Sequence, residues 1–264
     1  MAVTNKIQRE INPPFFLQHG AYTGILFFHN AHGRACLLGI LADGTGPGTA
    51  QAEDTLTVGI LDDVPPICFR DNESKLVGFD VDLLQEIGKR LSRAIVFKVI
   101  EWDKKIEELN SKNIDLIASN LSITEERKKV IAYTERLIQN AQAIIVNASS
   151  PIHTKNDIIG KKVCLLQDSN SIPIVERFNV KSGSTIKFSF SSLHGCLISL
   201  ISEEVEAAVL DLTPLNYYSN QNPGQFRILA DHFGEDDLAY GLRLSDRVLL
   251  TQLNQTSLDR KSVV

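Results

Sequence analysis

From residue 55 onward, short runs of β-branched and apolar residues alternate with segments whose apolar residues recur at helical spacing, and this alternation leaves few architectures open. Residues 55–61 (TLTVGIL) read as a strand, ended by the turn Asp62-Asp63-Val64-Pro65-Pro66. Residues 69–74 read as a loop. The segment 75–91 (KLVGFDVDLLQEIGKRL) predicts a helix capped by Asp80, with Val81, Leu84, Ile87 and Leu91 on one face. A strand at 95–100, a short helix capped by Asp103 with Ile106 and Leu109 inward, and a third strand at 114–118 follow. This β-α-β-α-β order predicts a parallel sheet with right-handed crossovers.

The pattern then restarts. Strands are expected at 141–146 (AQAIIV), 161–166 (KKVCLL), 185–190, 206–210, 226–230 and 238–244. Between them lie a helix from about Ile172 with Pro173 in its first turn, an apolar helix through Ile201 capped at Ser191 or Ser192, and a helix opened by Thr213-Pro214 that carries Tyr217 and Tyr218. The fold class is therefore α/β, with two Rossmann-like lobes of about 100 residues each built on mostly parallel sheets. Ligands of such sheets bind beyond the carboxyl ends of the strands, so two facing lobes enclose a cleft.

One stretch points at that cleft. In 114–130 (IDLIASNLSITEERKKV) a strand passes through Ser119-Asn120-Leu121-Ser122 into a helix that Thr124 should cap. Such a turn aims backbone N–H groups and hydroxyls at one electropositive spot suited to a carboxylate or phosphate. Arg127 lies within the first helical turn and can reach the same place. The same residues would also serve an ordinary strand–turn–helix with a solvated charged face.

Charge and ligand-type residues exclude other classes. The formal net charge is −5 and the basic residues are scattered, which argues against nucleic acid. The four cysteines, Cys36, Cys68, Cys164 and Cys196, form no CxxC pair and no Cys/His ligand set, so no metal is expected. Cys68 and Cys164 fall in apolar strand patterns and read as buried thiols, with disulfide pairing left open.

Residues 1–52 do not follow the alternation. Their apolar patches are interrupted by His29, His32 and Arg34, and none reaches the roughly 18 residues of a spanning helix. The piece ACLLGILADGTGPGTAQAED resembles the tail of a secretory signal, with Ala50-Gln51-Ala52 as its cleavage site. We expect 1–52 to be a signal-like or disordered tail. Lipid attachment at Cys36 is a second candidate, although Gly33-Arg34-Ala35 matches a lipoprotein box poorly. Residues 259–264 (DRKSVV) read as a sequence artefact following a helix still in progress.

Several blocks taken together resemble one family. They are LTVGILDDVPPICF (56–69), KLVGFDVDLLQEIGKRL (75–91), the pattern EW…IEELNSKNIDLIASNLSITEERKKVIAYTE (101–135), GKKVCLLQDSNS (160–171), EAAVLD (206–211) and AYGLRL (239–244). Their order and spacing resemble the extracytoplasmic solute-binding proteins of polar amino-acid ABC transporters. The resemblance implies two α/β lobes joined by two hinge strands, the type II periplasmic-binding-protein fold, closing on ligand like a clam shell. Lobe 1 would comprise 55–137 plus 241–258, and lobe 2 would comprise 138–240. It further implies a monomer in the periplasm or another extracytoplasmic location. The expected partners are an L-amino acid and a membrane permease, with no nucleic acid, no cofactor and no chemistry.

Matched residue by residue, Arg127 takes the place of the arginine that pairs with the ligand's α-carboxylate. Asn120 and Ser122 match turn positions that bind through backbone and hydroxyl, Asn120 standing where many members have Gly. Ser169 matches a lobe 2 hydroxyl at a helix N-terminus that also faces the carboxylate, and Asp211 matches the acid that receives the α-ammonium. Trp102 matches an aromatic wall able to make cation–π contact, and Gln167 is expected to point into the same pocket. Val64 stands where an aromatic is usual and Leu61 where Asp is common, which leaves the side-chain pocket more apolar and more open than the patterns for glutamine, arginine or lysine. Each of these residues also has a structural alternative: a surface arginine, a core tryptophan, a helix cap at Asp211. Two other functions share the fold, a cyclohexadienyl-dehydratase-like enzyme and a sensory module. An enzyme needs a further acid or base. Asp62, Asp63 and Asp168 are the candidates beside Asp211, and none has an evident histidine partner.

Overall fold

The structure, a computed structural model, describes residues 54–258 apart from residue 184. The expectations for 1–52, Cys36 included, and for 259–264 lie outside the described residues. The first lobe opens with β1 (Thr55–Ile60) and a ladder of short strands, β2 (Asp63–Val64), β3 (Cys68–Arg70) and β4 (Leu76–Val77). It continues through α1 (Phe79–Leu91), β5 (Ala94–Val99), α2 (Lys105–Asn110), β6 (Leu116–Ile117), α3 (Glu125–Lys128) and β7 (Ile131–Tyr133). The long β8 (Ile138–Asn147) leads into the second lobe: β9 (Lys162–Leu166), α4 (Ser171–Ser182), β10 (Lys187–Ser191), α5 (Leu193–Ile201), β11 (Ala207–Asp211), α6 (Leu212–Gln221) and β12 (Phe226–Ile228). Then β13 (Glu235–Leu238) carries the chain back to β14 (Gly241–Arg243) and α7 (Arg247–Leu258).

Each lobe is organised around one sheet. The first has the order β5-β1-β6-β14-β7 and the second β10-β9-β11-β8-β12, with β13 added along β8. The parallel pairings are those of the β-α-β series, β5 and β6 with β1 and β10 and β11 with β9. The strands next to the crossings, β8 and β14, run against their neighbours, and β12 pairs antiparallel with β8, so both sheets are mixed. The helical face read from the sequence is the buried one: Val81, Leu84 and Ile87 of α1 pack with Val58, Ile60 and Leu116 of the first sheet. In the second lobe, α5 covers one face through Leu197 and Leu200 while Val175 of α4 covers the other.

Two antiparallel segments join the lobes. β13 pairs with the start of β8, with Leu238 opposite Ile138 and Glu235 opposite Ala141. The contact continues into lobe 1, where Leu137 N–H donates to Leu238 O at 2.8 Å and Thr134 N–H donates to Tyr240 O at 3.0 Å. The two hinge strands therefore form a single hydrogen-bonded ribbon. Where this ribbon re-enters the first sheet, Gly241 lies so close to lobe 1 that a Cβ would come 2.6 Å from Leu121 Cδ2.

Several local expectations are corrected. Residues 69–74 are not all loop, since β3 begins at Cys68 and pairs on both sides. The segment 238–244 is two strands, because Ala239-Tyr240 is the point of passage from hinge to sheet. Asp80 does not cap α1. Gly78 does, at φ 123°, and Asp80 sits in the first turn with its side chain buried. Asp103 is no cap either, since the 3₁₀ turn Trp102–Lys104 precedes α2. Cys164 is not a free thiol: it is bonded to Cys196 with a Cα–Cα distance of 5.4 Å, tying β9 to α5. Cys68 is a buried free thiol as expected.

Candidate ligand-binding site

The turn after β6 is built by long-range contacts. Ser119 and Asn120 both adopt left-handed backbone, at φ 67° and 63°, which Asn tolerates better than most residues. The buried Asp80 holds this turn. Its Oδ2 accepts from Ser119 N–H at 2.8 Å and its Oδ1 accepts from the Tyr240 hydroxyl at 2.8 Å. Burial pushes the Asp80 carboxyl up to about 6 against the pull of those two donors. Ser119 Oγ accepts from Leu61 N–H at 3.2 Å, which ties the turn to the end of β1. After the turn, Thr124 caps α3 as predicted, its hydroxyl accepting from Arg127 N–H at 3.1 Å.

Seven of the eight residues singled out from the sequence line one small cavity between the lobes, of about 10 Å³. Lobe 1 contributes Val64, Trp102, Asn120, Ser122 and Arg127, and lobe 2 contributes Ser169 and Asp211. Gln167 is the exception. It is exposed and off the wall, because Leu166 takes the inward position at the end of β9 and alternation turns its neighbour outward. The remaining wall includes Leu61, Leu166 and Leu193.

The polar groups form two sets. The first gathers around Arg127, whose guanidinium donates to Ser122 O at 3.3 Å and to Asp168 O of the opposite lobe at 3.0 Å. Ser169 stands just before the N-terminus of α4, its hydroxyl bonded to Ser171. The second set centres on Asp211, whose Oδ1 accepts from Asn140 Nδ2 at 2.6 Å and Gln142 Nε2 at 2.8 Å. Burial, reinforced by the nearby Asp236 carboxylate, raises Asp211 to about 7. A buried acid with its ionised form disfavoured is a site for a cation, since an ammonium restores what burial removed.

Four participants were not read from the sequence. Asp236, on hinge strand β13, accepts from Ser122 Oγ at 2.8 Å, from Gln142 Nε2 at 2.6 Å and from Asn170 Nδ2 at 3.1 Å. It thus connects the turn, Gln142 and the α4 N-terminus. Asn140 and Gln142 on β8 orient Asp211. Lys105 is fully buried, donates to Trp102 O at 2.8 Å, pairs with Asp168 across the cleft and lies 4.8 Å from the Trp102 ring centre. Desolvation, then Arg127, lower Lys105 to about 8. The only sequence signal for these was the polarity of residues 140 and 142 within a strand otherwise buried. Asp63 does have a histidine neighbour: His194 acts on it across the cleft, while burial and then Asp62 raise its carboxyl. Neither Asp63 nor His194 lines the cavity.

The sequence matches the family described as bacterial extracellular solute-binding proteins, family 3, over residues 56–261. A probable histidine-binding protein of Campylobacter jejuni is 29% identical over 174 residues, 64% of each chain. The L-cystine-binding protein TcyJ of Escherichia coli is 31% identical over 146 residues, 50% of this chain and 55% of that protein. The matches thus span less than two thirds of the length of these relatives. Among solved structures, holo ArgBP from T. maritima superposes with a TM-score of 0.73 at 30% identity, covering 78% of this chain and 90% of that one.

Proposed function

Because the chain belongs to the bacterial extracellular solute-binding proteins of family 3, we propose that it captures an L-amino acid between its lobes and delivers it to the membrane permease of an ABC transporter. The observation that carries this reading is the pairing of opposite charges on one cavity wall, Arg127 from lobe 1 and Asp211 from lobe 2. A zwitterion needs a fork of donors at its carboxylate and an acid at its ammonium. Arg127 and Ser169 supply the first, Asp211 the second, and the Asn120–Ser122 turn lines the wall between lobes with Val64 and Trp102, the Ser122 hydroxyl being turned to Asp236. Closure desolvates both charges and strengthens each contact.

The chain works outside the cytoplasm as a monomer, without cofactor, and releases its ligand unchanged. The Asp63–His194 pair, which has the look of acid–base machinery, stands off the cavity wall. Calorimetry of the purified protein against the standard L-amino acids tests the reading: one or more bind with micromolar or tighter affinity. No heat with any of them defeats it.

A further inference from the structure

Among the described residues that line the cavity, Asp211 is the only carboxylate, and its Oδ1 is already turned toward Asn140 and Gln142. The polar side chains Ser119 and Asn170 are committed to Leu61 and Asp236. What faces a ligand side chain is therefore the apolar wall of Leu61, Val64, Leu166, Leu193 and Trp102, together with the uncharged Asn120. The Trp102 ring, the natural seat for a ligand cation, already carries the Lys105 ammonium 4.8 Å from its centre. That ammonium is fixed by Trp102 O and Asp168, and Arg127 lies close enough to depress its basicity.

From this arrangement we propose that the cavity selects amino acids with neutral side chains and rejects cationic ones. The proposal rests on the amino-acid reading above and names the class of ligand within it. A cationic side chain closed into this wall would lose its hydration with no carboxylate to replace it, and would meet the Lys105 charge at the ring that could have held it. A neutral side chain buries apolar surface against the same wall at no such cost. Leu61 is the deciding position. Its backbone is clamped on both sides by Ser119, N–H to Oγ at 3.2 Å and Oγ to C=O at 3.3 Å, so the direction of residue 61 is fixed.

The test is competition calorimetry of the wild-type protein with L-leucine, L-methionine and L-glutamine against L-arginine and L-lysine. At least one neutral ligand binds ten-fold or more tighter than either cationic one. Leu61→Asp, which places a carboxylate on the wall, raises L-arginine affinity at least ten-fold over wild type. If L-arginine or L-lysine is the tightest wild-type ligand, the selectivity is overturned while the amino-acid reading stands. Absence of binding by every amino acid overturns both. Should Leu61→Asp fail to fold, the wild-type ranking alone decides.

Discussion

Arg127 is half-buried and its own protein contacts are two backbone carbonyls, so its charge is the part of the side chain the fold uses least. Arg127→Ala should therefore leave thermal stability nearly unchanged while weakening amino-acid binding by roughly 30-fold or more, the expected loss when one partner of a desolvated charge pair is truncated at about 2–5 kcal/mol. Unchanged affinity in calorimetry would remove Arg127 from the site. Asp211 makes a different prediction. Its carboxyl is raised to about 7, and on the proposed reading a ligand ammonium placed against it must lower it again. Binding then releases a proton below neutral pH, and apparent affinity falls as pH drops through about 7 toward 5. Titration at pH 6 in buffers of different ionisation enthalpy reads the proton directly, and a flat profile from pH 5 to 8 would contradict the assignment.

At the scale of elements, the disulfide and the Asp80 contacts hold the site's supports. The Cys164–Cys196 bond closes a separation of 32 residues between β9, which delivers the Ser169 loop, and α5. Replacing both cysteines with Ser should cost about 2–4 kcal/mol, measured by denaturant unfolding, with a larger effect on lobe 2 than on lobe 1 in hydrogen exchange. Tyr240→Phe removes the donor to Asp80 Oδ1 in a buried setting and should cost about 1–3 kcal/mol, while loosening the Ser119–Asn120 turn. Much of this scale was legible in the sequence: hydrophobic period separates strands from helices, Thr124 and Ser192 stand where caps form, and the Ser122–Arg127 spacing survives because it is local. The rest depends on partners far apart along the chain. Asp80 meets residues 39 and 160 positions away, and Asp236 meets Ser122 across 114. No periodicity encodes such pairs, so Asp80 reads as a cap and Asp236 as an ordinary polar residue. Two- and three-residue strands such as β2 and β3 are likewise too short to show alternation.

On the scale of the whole molecule, contacts between protein groups span the cleft beside the cavity. Lys105 pairs with Asp168, Phe69 packs on Tyr217 with ring centres 6.0 Å apart, and Asp63 faces His194. Leu61 and Leu166 each pack against clusters drawn from both lobes. These contacts set how readily the lobes part. Asp168→Asn keeps the left-handed φ of 52° accessible and removes only the charge. The Asp168 carboxylate is half-exposed, which holds its pairing with the buried Lys105 to roughly 1 kcal/mol, so the open–closed balance should shift about five-fold toward open. Small-angle scattering of the ligand-free variant should give a larger radius of gyration than wild type, and identical curves would exclude the pair from closure.

The Asp236 carboxylate carries the last consequence. It belongs to the hinge ribbon, yet it holds Ser122 of one lobe, Asn170 of the other and the Gln142 that steadies Asp211. A molecule that rearranges any of these three is registered at the pivot without touching it. The hinge is then an instrument as well as an axle: its amide signals and exchange rates should report occupancy, and a change at residue 236 should alter the response to ligand even where affinity is kept.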